Sequence, residues 1–204
     1  MKKIILSSLL VLSTLASAND GDYSLRLSGG SASASDFDRL FTFQGFNTSP
    51  YETKTYGLTG GYRIYKDIGG LPFDLYANGG LNYYDENGYQ DNFFGADVYV
   101  KVVYKLNAFS NEFRIGLAEG MSYVGAIPHT EMQEAILEKD AHSNLLNYME
   151  LTFDFDIGKL ARVKSMENLY LGYLIKHRSG MYGVYNNVKD GGSNYNCAYI
   201  EKKF

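Results

Sequence analysis

One cysteine, three prolines and no tryptophan occur among the 204 residues. A lone Cys197 excludes an intramolecular disulfide, so stability has to come from packing or from the surrounding medium. Nor is there a basic cluster. The formal charge is −4, which argues against nucleic acid as a partner. Beyond Ala18 no apolar run approaches the roughly 20 residues that a membrane-spanning helix requires. The mature chain therefore cannot cross a bilayer as a helix.

The chain does begin with an export signal. Lys2 and Lys3 form a positive start, Ile4 to Leu15 an apolar stretch, and Ala16-Ser17-Ala18 a small-residue cleavage pattern. Residues 1–18 read as a secretory signal peptide, with residues 19–204 as one mature domain. No cysteine follows the cleavage site, which argues against a lipid-anchored amino terminus. Removal of the signal takes the formal charge to about −6.

The rest of the chain is rich in Tyr (19), Phe (12) and Gly (22). Such a composition suits strands with aromatic girdles at two membrane interfaces. A Tyr-rich soluble sandwich would share it, so order along the chain has to decide. The dominant period is two. Tyr23-Ser24-Leu25-Arg26-Leu27-Ser28 alternates apolar with polar, as does a strand between two different solvents. Tyr56, Leu58, Tyr62 and Ile64 repeat the pattern, and so do Phe73, Leu75, Ala77, Leu81 and Tyr83.

The fourth run is the clearest. Phe94, Ala96, Val98, Val100, Val102, Tyr104 and Leu106 oppose Asp97, Lys101 and Lys105. A fifth run carries Phe113 to Tyr123. In a sixth, Leu145, Met149, Leu151, Phe153 and Phe155 oppose Tyr148, Glu150, Thr152, Asp154 and Asp156. The seventh starts Leu169, Leu171, Tyr173, Ile175, and the eighth spans Asn194 to Phe204. About eight strands, each near the length that crosses a bilayer at a tilt, are predicted.

Connection lengths alternate as well. Long links near 34–53, 85–92, 125–143 and 180–192 are separated by tighter ones at 67–70, 107–110 and 158–167. Long loops at one end and short turns at the other are the pattern of a bacterial outer-membrane barrel. The expected fold is an all-β, eight-stranded antiparallel transmembrane barrel in the outer membrane. Phe204, with Ile200 and Ala198 at alternating positions, resembles the carboxy-terminal signal read by the barrel-assembly machinery, although Lys202 departs from it. The outward face of this last strand stays open between Ala198/Ile200 and Tyr195/Cys197/Tyr199. Polar side chains such as Asp97, Lys101, Lys105, Tyr148, Glu150 and Asp154 are expected to fill the lumen. Eight strands leave an interior just wide enough for them, which excludes a general diffusion pore.

Chemistry is concentrated on the seventh strand. Its outward parity continues from Ile175 to His177 and Ser179, two polar residues facing lipid. Residues i and i+2 share a face about 6.5–7 Å apart, a gap that imidazole and hydroxyl can close. A serine beside a histidine is the minimal activated nucleophile for acyl transfer. His-x-Ser also arises by chance where a strand leaves the hydrocarbon, so its surroundings matter.

Those surroundings carry a resemblance. His177-Arg178-Ser179-Gly180, Asn187 and Asp190-Gly191-Gly192-Ser193-Asn194-Tyr195 resemble the outer-membrane lipid A 3-O-deacylases. The resemblance is specific over about 20 residues. It implies an eight-stranded barrel with a lipid-facing His-x-Ser pair and lipid A of lipopolysaccharide as substrate. It further implies Ser179 as nucleophile, His177 as general base and Asn187 as oxyanion donor. The family's glutamate falls at Gly191; Asp190, one residue earlier, is the nearest carboxylate, and it also suits an ordinary Gly-Gly turn. No cofactor or metal is implied.

Other groups remain. Glu119 follows the outward parity of Leu117 and Met121, and a glycine-associated bulge turning it inward is the favoured reading; a supporting role near His177 is the alternative. Thr130 to Lys139 reads as a short surface helix. His129, His142, Glu131, Glu134 and Glu138 in that loop lack the spacing of a zinc motif. Asp36, Asp38, Asp85, Glu86 and Asp91 would suit cation bridges to lipopolysaccharide, but nothing fixes such a site. Two functional classes follow: a lipid A esterase of the outer leaflet, and a non-enzymatic barrel whose loops serve adhesion, protection or support.

Overall fold

A computed structural model describes residues 21–35, 47–189 and 191–204. The expected signal peptide, Asp36, Asp38 and Asp190 lie outside the described residues. Eight strands run Tyr23–Ala32 (β1), Lys54–Tyr65 (β2), Phe73–Asp85 (β3), Phe93–Ala108 (β4), Asn111–Val124 (β5), Leu145–Asp156 (β6), Leu169–Ser179 (β7) and Gly192–Lys203 (β8). Each pairs antiparallel with the next, and β8 pairs with β1. The sheet closes, so no strand edge is left to satisfy.

The period of two has become two environments. Outward apolar side chains stay uncovered: Leu81 and Val98 are 64% exposed and Phe94 70%. A continuous apolar wall of this kind calls for lipid. Facing aromatic rows border it. Tyr23 meets Tyr62 and Phe73 meets Tyr104 at the short-turn end, with ring centroids 5.2 and 5.1 Å apart. At the other end the register aligns Tyr56, Tyr83 and Phe94 across three strands. Tyr56 and Tyr62 are six residues apart, about 20 Å along the strand, so the two aromatic rows border opposite ends of the apolar wall.

Inside, charge meets charge. Arg26 makes a bidentate contact with Glu150, both bonds at 2.7 Å. Lys101 Nζ lies 3.0 Å from the same carboxylate, and the Tyr148 hydroxyl donates to it at 2.6 Å. Arg114 pairs with Asp154 at 2.6 Å and Glu201 at 2.9 Å. Lys176 pairs with Asp97 at 2.8 Å. An interior void among Ser24, Tyr76, Lys101, Arg114 and Asp154 holds about 10 Å³, barely one water. The barrel is plugged by its own side chains. β8 settles its two faces the same way: Tyr195, Cys197 and Tyr199 are buried in the lumen, while Ala198 and Ile200 point outward.

The loop-bearing end is capped. Helix α1, His129–Glu138, packs against β8. Its Glu131 is buried, accepting from Arg178 Nε at 3.2 Å and Ser193 Oγ at 3.0 Å. This differs from the solvated surface helix that the sequence suggests. Inward-pointing Arg178 places a cation beneath the mouth, and Glu131 answers it. The loops also hold each other. The His129 ring stacks on Tyr89 at 4.5 Å and meets Tyr51 edge-on at 4.7 Å. Among the described residues, no cluster of three His, Cys, Asp or Glu is arranged to hold a metal ion. The second helix, α2 (Ile157–Ala161), is capped by the Asp156 side chain and lies in the short-turn end between β6 and β7.

Candidate active site on the lipid-facing wall

His177 and Ser179 leave β7 on its outer face, near the loop-bearing end, and both are half-buried. Their inward neighbours Lys176 and Arg178 are 3% and 0% exposed, which fixes the parity. Cross-strand partners build the surroundings. His177 faces Met149 on β6 and Asn194 on β8; Ser179 faces Asn147 and Gly192. Polar groups thus gather on a wall that is otherwise mostly apolar.

The imidazole is held from β8. His177 Nδ1 lies 2.7 Å from Asn194 Oδ1. The Asn194 amide nitrogen donates in turn to the Ser35 carbonyl at 3.1 Å. That second bond assigns the amide, because only its oxygen is left to face the ring. A neutral His177 then carries its proton on Nδ1 and its lone pair on Nε2, the tautomer a general base uses on a hydroxyl. Lower on the same wall, Tyr173 donates to Asn196 Oδ1 at 2.6 Å, so the polar strip continues along β8.

The Ser179 hydroxyl makes no hydrogen bond among the described residues. Opposite it, Asn147 is 1% exposed and its Nδ2 is buried without a partner among the described residues. The loop between β7 and β8 is tied to the rim of β6 beside it. Asn186 Nδ2 donates to the Ser143 hydroxyl at 2.8 Å and the Leu145 carbonyl at 3.1 Å.

Asn187 sits in this loop, exposed, with left-handed backbone (φ 61°). No hydrogen bond joins it to His177 or Ser179 among the described residues. Asp190 is not described. Glu119 is exposed on the outer face and stays in unbroken register between Val100 and Met149. No bulge turns it inward, because Gly120 keeps its own pairing with Tyr99 and Tyr148. Glu119 shares a row with His177 but lies two strand spacings away, about 9–10 Å, too far to hold the ring.

The fold is similar to two solved barrels. The outer membrane enzyme PagL superposes with a TM-score of 0.57 at 12% identity, over 89% of this chain and 99% of that one. Neisserial surface protein A gives 0.50 at 12% identity, over 90% and 97%. No family model and no curated protein matches the sequence. At this identity the likeness establishes the fold: an eight-stranded barrel of the outer-membrane type.

Two residues of the patch escape a linear reading. Asn194 is not a carboxylate and stands 15 residues after Ser179, beyond the spacing that the family resemblance supplies. Asn147 comes from the preceding strand, and only the register brings it beside Ser179. The one available signal was its break in the outward β6 series of Leu145, Met149, Leu151, Phe153 and Phe155.

Proposed function

We propose that the chain is an outer-membrane serine esterase that removes an ester-linked acyl chain from lipid A of lipopolysaccharide. The single observation that supports it most is the lipid-facing His177, held by Asn194 in the tautomer of a base, two residues from an outward serine. A nucleophile on the outside of a plugged barrel meets its substrate by lateral diffusion in the leaflet.

His177 Nε2 takes the proton from Ser179 Oγ as that oxygen attacks the ester carbonyl. The tetrahedral intermediate collapses, the sugar hydroxyl leaves with the proton from His177, and an acyl-serine remains. Water, deprotonated by the same imidazole, then attacks the acyl-serine, releases the fatty acid and restores Ser179. The family resemblance offers Asn187 as an oxyanion donor and Asp190 as the acid behind His177. Glu119 is an outlying carboxylate that no step requires.

Mass spectrometry of lipid A from cells carrying either wild-type protein or Ser179→Ala tests the reading. One acyl chain should be lost with wild type and retained with the variant. Unchanged lipid A in both, with the barrel folded in the outer membrane, would instead favour the non-enzymatic reading. The interlocked Tyr51, Tyr89 and His129 side chains, which fasten three loops into one surface, would then be the feature to pursue.

A further inference from the structure

The geometry points to Asn147 as a catalytic residue of the same site, donating from Nδ2 to the carbonyl oxygen of the ester as it becomes an oxyanion; this rests on the esterase reading above. Three observations carry it. Asn147 is the sole polar residue on the outward face of β6, where Leu145, Met149, Leu151, Phe153 and Phe155 occupy the other positions. An amide turned toward hydrocarbon is unfavourable unless something accepts from it.

Second, its position is fixed by register rather than by loop conformation. Asn147 stands directly opposite Ser179 in the β6–β7 ladder. Side chains so paired leave the sheet on one face with Cβ atoms about 4.5–5.5 Å apart. An acyl carbonyl attacked by Ser179 Oγ would have its oxygen within reach of that amide. His177 and Asn194 lie one step down the ladder, so base and donor approach the serine from different sides.

Third, Nδ2 is buried and has no partner among the described residues. Native structures rarely leave a buried donor unused, and an unpaired donor beside the attacking group is what oxyanion stabilisation requires. The Asn186 tie fastens the β7–β8 loop to the β6 rim two residues away. Substrate supplies the acceptor.

The test is steady-state hydrolysis of purified lipid A by the refolded barrel in detergent micelles, with electrophoretic mobility before and after heating as the check on folding. Asn147→Asp keeps the shape and removes the donor; Asn147→Ala removes both. Each should lower kcat by about 10²–10³-fold, the usual effect of losing one oxyanion donor, with KM within about twofold of wild type. If the alanine variant does not fold, the aspartate variant decides. Wild-type kcat in Asn147→Asp, or a rise in KM at constant kcat, would overturn the assignment while Ser179→Ala remains inactive. An inactive wild type, or full activity in Ser179→Ala, would overturn the esterase reading and the assignment with it.

Discussion

At the scale of single residues, the lumen makes the sharpest demands. Arg26 and Glu150 are 3% and 0% exposed, and each is satisfied almost wholly by the other and by Tyr99, Tyr148 and Lys101. Removing one charge strands the rest. Arg26→Ala is expected to lower stability by about 3–5 kcal/mol, read as urea unfolding in lipid vesicles. Neutralising the whole cluster, Arg26→Met and Lys101→Met with Glu150→Gln, should recover much of that loss, since no buried charge is then left without its counter-ion. Equal loss in the single and the combined variants would show that the cluster is not the cause.

Glu86, just beyond β3, behaves differently. One carboxylate oxygen accepts from the His129 backbone at 2.7 Å and Gln90 at 3.1 Å, and the other is buried without a partner among the described residues. Burial raises its pKa above the ordinary carboxylate value. The folded state therefore holds this proton more tightly than the unfolded chain. Its contribution is fullest at pH values below the unfolded pKa and is lost as pH rises through the raised folded value. Protease cleavage in the 86–92 and 125–144 loops should increase over that range in wild type. Glu86→Gln should flatten the dependence; an unchanged pH profile would remove Glu86 as its origin.

At the scale of elements, Gly172 marks where β7 meets the lumen at its tightest. A Cβ there would stand 2.5 Å from the Tyr199 ring and 2.6 Å from Asp154 Cβ. Tyr199 also donates to Asp154, so neither neighbour can retreat without breaking the Arg114 network. Gly172→Val is expected to cost about 1–3 kcal/mol or more by overpacking, measured by unfolding midpoint. A stable valine variant would show slack that the packing does not suggest.

Strands were legible because each lies between two solvents, and alternation such as Phe94 to Leu106 against Asp97, Lys101 and Lys105 records that directly. The extent of β8 was legible too, but not which face points outward, because Asn196 points outward to Tyr173 while tyrosines and Cys197 fill the lumen, so polarity does not separate its faces. The burial of Glu131 is hidden from the sequence for a related reason. Its counter-ion Arg178 sits on a strand 47 residues later, and only closure of the barrel brings them together. His177 and Ser179 were legible from parity alone. Asn147 and Asn194 depend on which residue of one strand faces which of the next, information that no single segment contains.

At the scale of the molecule, the division of labour is plain. Paired charges and tyrosines fill the interior, α1 and the interlocked loops close the mouth, and a mostly apolar wall faces the membrane, interrupted by Glu119 on β5 and by the polar strip on β6, β7 and β8. That arrangement fills the lumen with side chains, and the proposed chemistry sits on the outside. Its central claim is that Ser179 is a nucleophile approached through lipid. Labelling the vesicle-embedded protein with a long-chain alkyl phosphonofluoridate, followed by peptide mass mapping, tests this most directly. The account predicts a single phosphonyl adduct on Ser179, strongly reduced in His177→Ala and absent in Ser179→Ala. No adduct on Ser179 in correctly folded wild-type barrel, or equal labelling after His177 is removed, would contradict it.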